Sequence, residues 1–322
     1  MCKYTRNQSE QSTLSHGLVL SAKNGRTETH EYELLVFADM IELKARRKHN
    51  LKKASAFTSK RKPITKFTRK SRNNLLRRLG KARNTDRGLF ITLTYPDSVL
   101  FNSEQNGQTV SRLSVLKTKQ HIASLRKRIE RMFPDTWTLW RLELIPRKSG
   151  TFSGELAPHF HLLHYGNLHE IAFLRRWFKH AWYEIAHDGD EHKGKAGTQL
   201  DTIDNKRHAY KYTSKYLAKE TSEEIEVWLK GGDRPGRWWG VFGNYDGTPA
   251  YRIRLDRLGF IKVKRTIRGY LNSSSRFYSR RLSRVKPDAS VFVFGLGDCS
   301  EGQEHNPNAP PIVRAAYRSI KF

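Results

Sequence analysis

The run Ala157-Pro158-His159-Phe160-His161-Leu162-Leu163 places two histidines on either side of one phenylalanine. Alternate side chains of a strand share a face, so His159 and His161 point one way and Phe160 and Leu162 the other. Two imidazoles side by side on a sheet are half of a metal site; the plainer alternative is a pair of half-buried histidines satisfied by hydrogen bonds. Glu143, in Leu142-Glu143-Leu144, tips the balance, because a carboxylate among apolar neighbours is costly unless paired or metal-bound. A salt bridge from Glu143 to Arg141 or Arg147 is the competing arrangement. Two imidazoles and one carboxylate leave coordination positions open, as a Lewis-acid site needs, and Mg²⁺ or Mn²⁺ suits phosphodiester chemistry.

A second constellation follows in Tyr212-Thr213-Ser214-Lys215-Tyr216-Leu217-Ala218-Lys219. On a helix Tyr212 and Tyr216 are i and i+4, so their phenols emerge close together. Lys215 and Lys219 each follow a tyrosine by three residues and form a stripe with Lys211. A phenol with its ordinary pKa of about 10 is a poor nucleophile at neutral pH. A nearby ammonium favours the phenolate and balances incoming negative charge. Tyrosines at this spacing also serve simply to pack a helix; the histidine pair upstream favours the catalytic reading. Tyr210 has no such lysine and reads as packing. His187, Asp188, Asp190, Glu191 and His192 read as a solvated polar loop. Gly189 to Lys195 mimics a phosphate-binding loop, but Ala196 stands where Ser or Thr is needed and the segment precedes a strand, so nucleotide binding is rejected.

Several elements must hold these groups in place. Leu89 to Pro96 is β-branched and aromatic and reads as a strand stopped by proline. Ile122, Leu125, Ile129 and Met132 mark an amphipathic helix that Pro134 ends. Trp137 to Ile145 is a second strand, with Trp137, Leu139, Arg141 and Glu143 on one face. Pro158 to Tyr165 is a third, hairpin-paired to the second across a Gly/Ser turn. Leu168 to Ala186 is a helix with Ile171, Leu174, Phe178, Ala181, Trp182 and Ile185 inward. A short strand, Gln199 to Ile203, precedes a helix that Asp204 or Asn205 can cap and that carries the tyrosines. Gly236 to Gly243 reads as a glycine-bracketed aromatic strand or turn, and Tyr251 to Lys264 as a further strand. This order predicts an α+β fold, a sheet with helices packed on it.

The chain has 322 residues and a formal charge of +29, which points to phosphate polymers as partners. Its 37% hydrophobic content is enough for a real core. No acidic residue occurs between Lys44 and Arg83. That block reads as a nucleic-acid arm ending in a basic helix over Ser71 to Leu79, with Arg69, Lys70, Arg72, Arg77 and Arg78 as DNA-binding candidates. Cys2 and Cys299 are the only cysteines, so a disulfide framework or a cysteine zinc site is not expected. Nothing has the length and apolarity of a membrane span. A cytoplasmic protein without a membrane partner is the expectation.

Three motifs in order, Phe-Ile-Thr-Leu-Thr-Tyr-Pro, then Glu143 with Pro-His-Phe-His-Leu-Leu, then Tyr-Thr-Ser-Lys-Tyr-Leu-Ala-Lys, resemble those of the HUH endonucleases. The likeness is greatest to the rolling-circle replication initiators of single-stranded DNA phages and related plasmids, and it covers roughly residues 65–245. It implies a central antiparallel sheet of HUH-endonuclease (RRM-like, ferredoxin-like) topology, with His159, His161 and Glu143 holding Mg²⁺ or Mn²⁺. Tyr212 or Tyr216 would attack the origin phosphate of single-stranded DNA, leaving a 5′-phosphotyrosine and a 3′-OH primer, and the strand would later be rejoined. Lys215 matches the catalytic lysine of that pattern and Lys219 its counterpart for the second tyrosine. Thr92 and Thr94 would lie near the DNA. The implied partners are origin DNA and a host helicase and DNA polymerase, in the cytoplasm of a bacterial host cell. The expected division is a basic, partly disordered extension over 1–64, a nicking-joining domain over 65–250, and a basic C-terminal extension and tail over 251–322. The rival from another class is a non-catalytic basic protein that binds single strands by aromatic stacking. A relaxase or transposase of the same superfamily would share the chemistry, but a relaxase is expected to carry its tyrosine ahead of the histidines and a single-tyrosine transposase to lack the second one.

Overall fold

The computed structural model describes residues 30–47, 64, 67–83, 87–102, 111–148, 153–154, 156–186, 197–204, 236–274 and 290–294. In chain order its elements are β1 (His30–Val36), β2 (Met40–Arg47), α1 (Arg69–Lys81), β3 (Gly88–Leu93), α2 (Asp97–Leu100), β4 (Phe101–Asn102), β5 (Ser111–Arg112), α3 (Val115–Met132), β6 (Thr136–Pro146), β7 (Leu156–Gly166), α4 (Ile171–Ala186), β8 (Thr198–Ile203), β9 (Trp239–Gly243), β10 (Tyr251–Leu255), α5 (Arg257–Ser274) and β11 (Val291–Phe294). The fold is α+β, with antiparallel pairing throughout its sheets.

The larger sheet runs β8-β3-β7-β6-β9, so the histidine strand β7 is its middle member. Its hairpin with β6 sets Glu143 opposite His159 and Leu142 opposite Phe160. One face, bearing Leu93, Leu142, Phe160 and Leu162, is buried under α3 and α4. Leu174, Phe178, Ala181 and Trp182 of α4 turn inward, as their spacing predicts. Trp182 meets Phe160 edge-on at 6.0 Å, and its indole N–H donates to the Thr94 carbonyl at 2.7 Å. In α3, Ser114 accepts from the Lys117 N–H at 3.2 Å and starts the helix. Ile122, Leu125 and Ile129 are buried, but Met132 is 44% exposed. Phe133 takes the inward place instead, because the helix ends there ahead of Pro134. Gly88 is required by packing: a Cβ there would stand 2.2 Å from the Tyr165 ring.

A smaller sheet, β10-β1-β2-β11, joins residues that lie far apart in sequence. What reads in sequence as an N-terminal and a C-terminal extension supplies its strands. The Tyr251–Lys264 segment is a strand only as far as Leu255. Asp256 then accepts from the Gly259 N–H at 2.6 Å and caps α5, whose Phe260, Val263 and Ile267 recur at helical spacing and bury against Tyr32, Leu34 and Leu43.

Helix α1 stands between the two sheets. Thr68 caps it by accepting from the Ser71 N–H at 3.2 Å, and Leu75 and Leu79 enter the main core. Its other side faces the small sheet. There Glu42, 1% exposed, is ion-paired with Arg77 and, at 2.9 Å, with Lys81. Among the described residues no helix is long and apolar enough to cross a membrane.

Candidate functional site

The second face of the larger sheet carries the chemistry. Antiparallel pairing lays Gln199, Thr92, His161, Arg141 and Trp239 in one row across five strands, with His159 and Glu143 paired beside it. Residues directly opposite across an antiparallel pair have Cβ atoms about 4.5–5.5 Å apart, so these side chains are neighbours on one face. The predicted alternation therefore holds: His159, His161, Arg141 and Glu143 do share a face.

His161 is fixed from three sides. Its Nε2 lies 3.0 Å from Glu143 Oε2, its Nδ1 lies 3.2 Å from the Thr92 hydroxyl, and its ring stacks on Phe90 at 5.5 Å. In the neutral ring Nε2 donates to the carboxylate, and Nδ1 is left to accept from Thr92. Both His161 and Glu143 are buried. Thr92, expected beside the DNA, is thus the residue that orients a candidate ligand. The signal for that role is its register, which sequence alone does not supply. Thr94, at the strand end, is half-buried; its backbone N–H donates to the Gly197 carbonyl at 2.8 Å.

His159 lies opposite Glu143. Burial chiefly, with His161 and the Arg147 charge adding to it and Glu143 opposing, pushes its pKa down to about 4. It is therefore neutral at physiological pH and keeps a lone pair for a ligand or a proton. Arg141 is fully buried, with its guanidinium carbon 4.0 Å from the centre of the Phe67 ring. Burial lowers its pKa to about 10, with Glu143 opposing and Arg72 adding to the shift. Arg147 donates to the Tyr95 carbonyl at 2.7 Å. Arg141, Arg147 and the nearby Arg72 thus outnumber the one carboxylate, with Arg141 sealed beneath Phe67. The sequence presents Arg141 only as a partner for Glu143; the row places it beside His161 as well.

The donor set of His159, His161 and Glu143 fits Mg²⁺ or Mn²⁺ in chemistry, with two imidazoles and a carboxylate on adjacent strands. Among the described residues, however, no three His, Cys, Asp or Glu side chains are gathered closely enough to hold an ion. Glu143 and His161 instead satisfy one another.

Tyr212, Tyr216, Lys215 and Lys219 lie outside the described residues. The described chain stops at Asp204, beyond β8, and resumes at Gly236, before β9. Residues 205–235 thus connect the two edges of the sheet whose middle strand bears the histidines. Tyr95 and Tyr165 are buried, and burial raises both phenols well above their ordinary range, so neither is suited to attack.

Of the DNA-binding candidates, Arg69 and Lys70 are exposed at the start of α1 and Arg72 is half-buried near Arg141. Arg77 is engaged by Glu42 and lies 5.1 Å from the Phe292 ring. Arg78 lies 5.4 Å from the ring of Tyr245, whose hydroxyl donates to the Arg78 carbonyl at 2.8 Å. The basic side of α1 is therefore partly a structural seam. No family model, curated protein or solved structure matches the chain, so the meaning of this face rests on its own geometry.

Proposed function

We propose that this chain is an HUH-type nicking and joining enzyme that starts rolling-circle replication on single-stranded origin DNA. The observation that carries the reading is the pairing of His159 with Glu143 beside the Thr92–His161–Arg141 row, on the middle strands of an antiparallel sheet. In this reading His159, His161 and Glu143 would hold Mg²⁺ or Mn²⁺, whose chemistry there would be to polarise the scissile phosphate and offset its charge. Thr92 keeps the His161 ring aimed. Half-buried Arg72 offsets the charge of the DNA backbone. Tyr212 or Tyr216 attacks phosphorus: a phenolic O–P bond forms, the bond to the 3′ oxygen breaks, and that oxygen leaves as the primer hydroxyl. Lys215 and Lys219 favour the phenolate. The second tyrosine repeats the exchange, and the freed 3′-OH reverses the first linkage to rejoin the strand.

The test is a covalent protein–DNA adduct on a denaturing gel. Short single strands tiling the replicon's intergenic region are incubated with the protein, with and without Mn²⁺. A metal-dependent adduct that is lost in the Tyr212→Phe/Tyr216→Phe double variant is expected. One observation favours the rival, a non-catalytic strand-binding protein: Glu143 and His161 already satisfy each other. Tight salt-sensitive binding with no adduct on any strand decides for that rival.

A further inference from the structure

The same sheet face continues into a cleft of about 710 Å³ between α1 and β9, at the edge of the sheet. It begins at Trp239, whose indole N–H donates to the Ser71 hydroxyl at 2.7 Å. Trp239 is paired with Arg141, which is paired with His161, so the cleft starts two strands from the histidine, roughly 10 Å away. Exposed Asn74 and Arg78 line its α1 side, and exposed Arg237 and half-buried Tyr245 the other. Arg237 is held in place by its backbone, since its carbonyl accepts from Lys119 Nζ.

The cleft is short of negative charge. Arg77, Arg78, Lys81 and Arg237 line it, while Glu42 serves Arg77 and Lys81. Among the described residues Arg78 and Arg237 have no carboxylate partner. The pKa of Lys81 is lowered to about 8 by burial, then by the charges of Arg77 and Arg78. An anion seated here would relieve that repulsion. Half-buried aromatic rings beside guanidinium groups that have no carboxylate partner among the described residues, Arg78 lying 5.4 Å from the Tyr245 ring, are what a single strand needs: stacking for bases of any sequence and cations for the backbone. The volume is that of a small-molecule site, about 300–1,000 Å³.

We propose that this cleft binds a few nucleotides of single-stranded DNA running on from the histidine face. Its phosphates meet Arg78 and Arg237, and its bases meet Trp239 and Tyr245. The identity of the ligand as DNA rests on the proposed function; the binding itself does not require cleavage.

The test uses the full chain and a fluorescent oligo(dT), with affinity read by anisotropy over a series of salt concentrations. The variants are Arg78→Gln/Arg237→Gln and, independently, Asn74→Glu, each checked for folding by its thermal melt. Lys127→Glu, an exposed change on the outer side of α3, is the control for charge alone. The arginine pair should weaken binding about tenfold or more and flatten the log–log salt slope by about 1.4, two single-strand phosphate contacts at about 0.7 each. Asn74→Glu should also weaken binding, and Lys127→Glu should do much less. An unchanged slope, an equal loss in the control, or a duplex that binds as tightly and loses as much in Asn74→Glu overturns the proposal. Adduct formation is followed on the same proteins. An adduct in the unmodified protein, with cleft variants that bind normally, removes the cleft and leaves the nicking. No adduct, with a loss of binding confined to cleft variants, supports the cleft and removes the nicking.

Discussion

His161 and His164 stand three residues apart on β7, on opposite faces of the same sheet, and each has a threonine hydroxyl at Nδ1. Thr92 serves His161 at 3.2 Å and Thr138 serves His164 at 2.9 Å. The difference is at Nε2. In His161 it meets the Glu143 carboxylate, on a face ringed by arginines. In His164 it is buried without a hydrogen-bond partner among the described residues, against Phe178 at 5.4 Å and Phe133 at 5.9 Å. Residue type and even the threonine are the same. What separates a packing histidine from a candidate ligand is the chemistry across its second nitrogen, and that chemistry is set by which face the strand turns to the helices.

The comparison predicts different phenotypes. His161→Ala should reduce adduct formation at least about a hundredfold per folded molecule, with a stability cost because Glu143 is left buried without its partner. His164→Ala should retain adduct formation per folded molecule but cost about 2–5 kcal/mol in urea unfolding, the range for opening a core cavity. If His161→Ala destabilises as much as His164→Ala and cleaves normally, the two faces are alike and the site assignment fails. A smaller effect belongs to Thr92. Thr92→Val frees the His161 ring at Nδ1 and should weaken Mn²⁺ binding about 10–100-fold, measured by calorimetric titration. Unchanged Mn²⁺ affinity would mean that the hydroxyl does not orient the ring.

The smallest effect is that of pH. Burial pushes the His164 pKa down to about 3, below its ordinary 6.5. The unfolded chain therefore takes up a proton that the folded chain refuses. Stability from this group is full above about pH 6.5 and is lost as pH falls toward 3. Urea midpoints at pH 7 and pH 5 should differ by less in His164→Leu than in the unmodified chain; an identical difference would show that His164 is not the group titrating.

The face relations were legible in sequence because they depend only on the alternation of side chains along a strand. The β6–β7 hairpin, α1, α3 and α4 follow from local patterns, and so does the placing of His159, His161, Arg141 and Glu143 together. The small sheet was not legible. β2 runs directly into the block of Lys44 to Arg83, where charge hides the strand, and Glu42 looks like a surface residue until Arg77 and Lys81 arrive from α1. The partners of the β1–β2 hairpin, β10 and β11, come from the far end of the chain. Arg77 reads in sequence as a DNA-binding candidate because the Glu42 carboxylate that engages it lies on a different element, far from it in the chain.

The small sheet also fixes an order of events during synthesis. The β1–β2 hairpin emerges early, yet both of its outer edges are completed only by β10 and β11. At about 5–20 residues per second, translation of the intervening domain leaves those edges bare for roughly ten seconds or more. Unpaired strand edges recruit other chains. The lysine and arginines of β2 are charges of the kind that discourage such pairing at a bare strand edge.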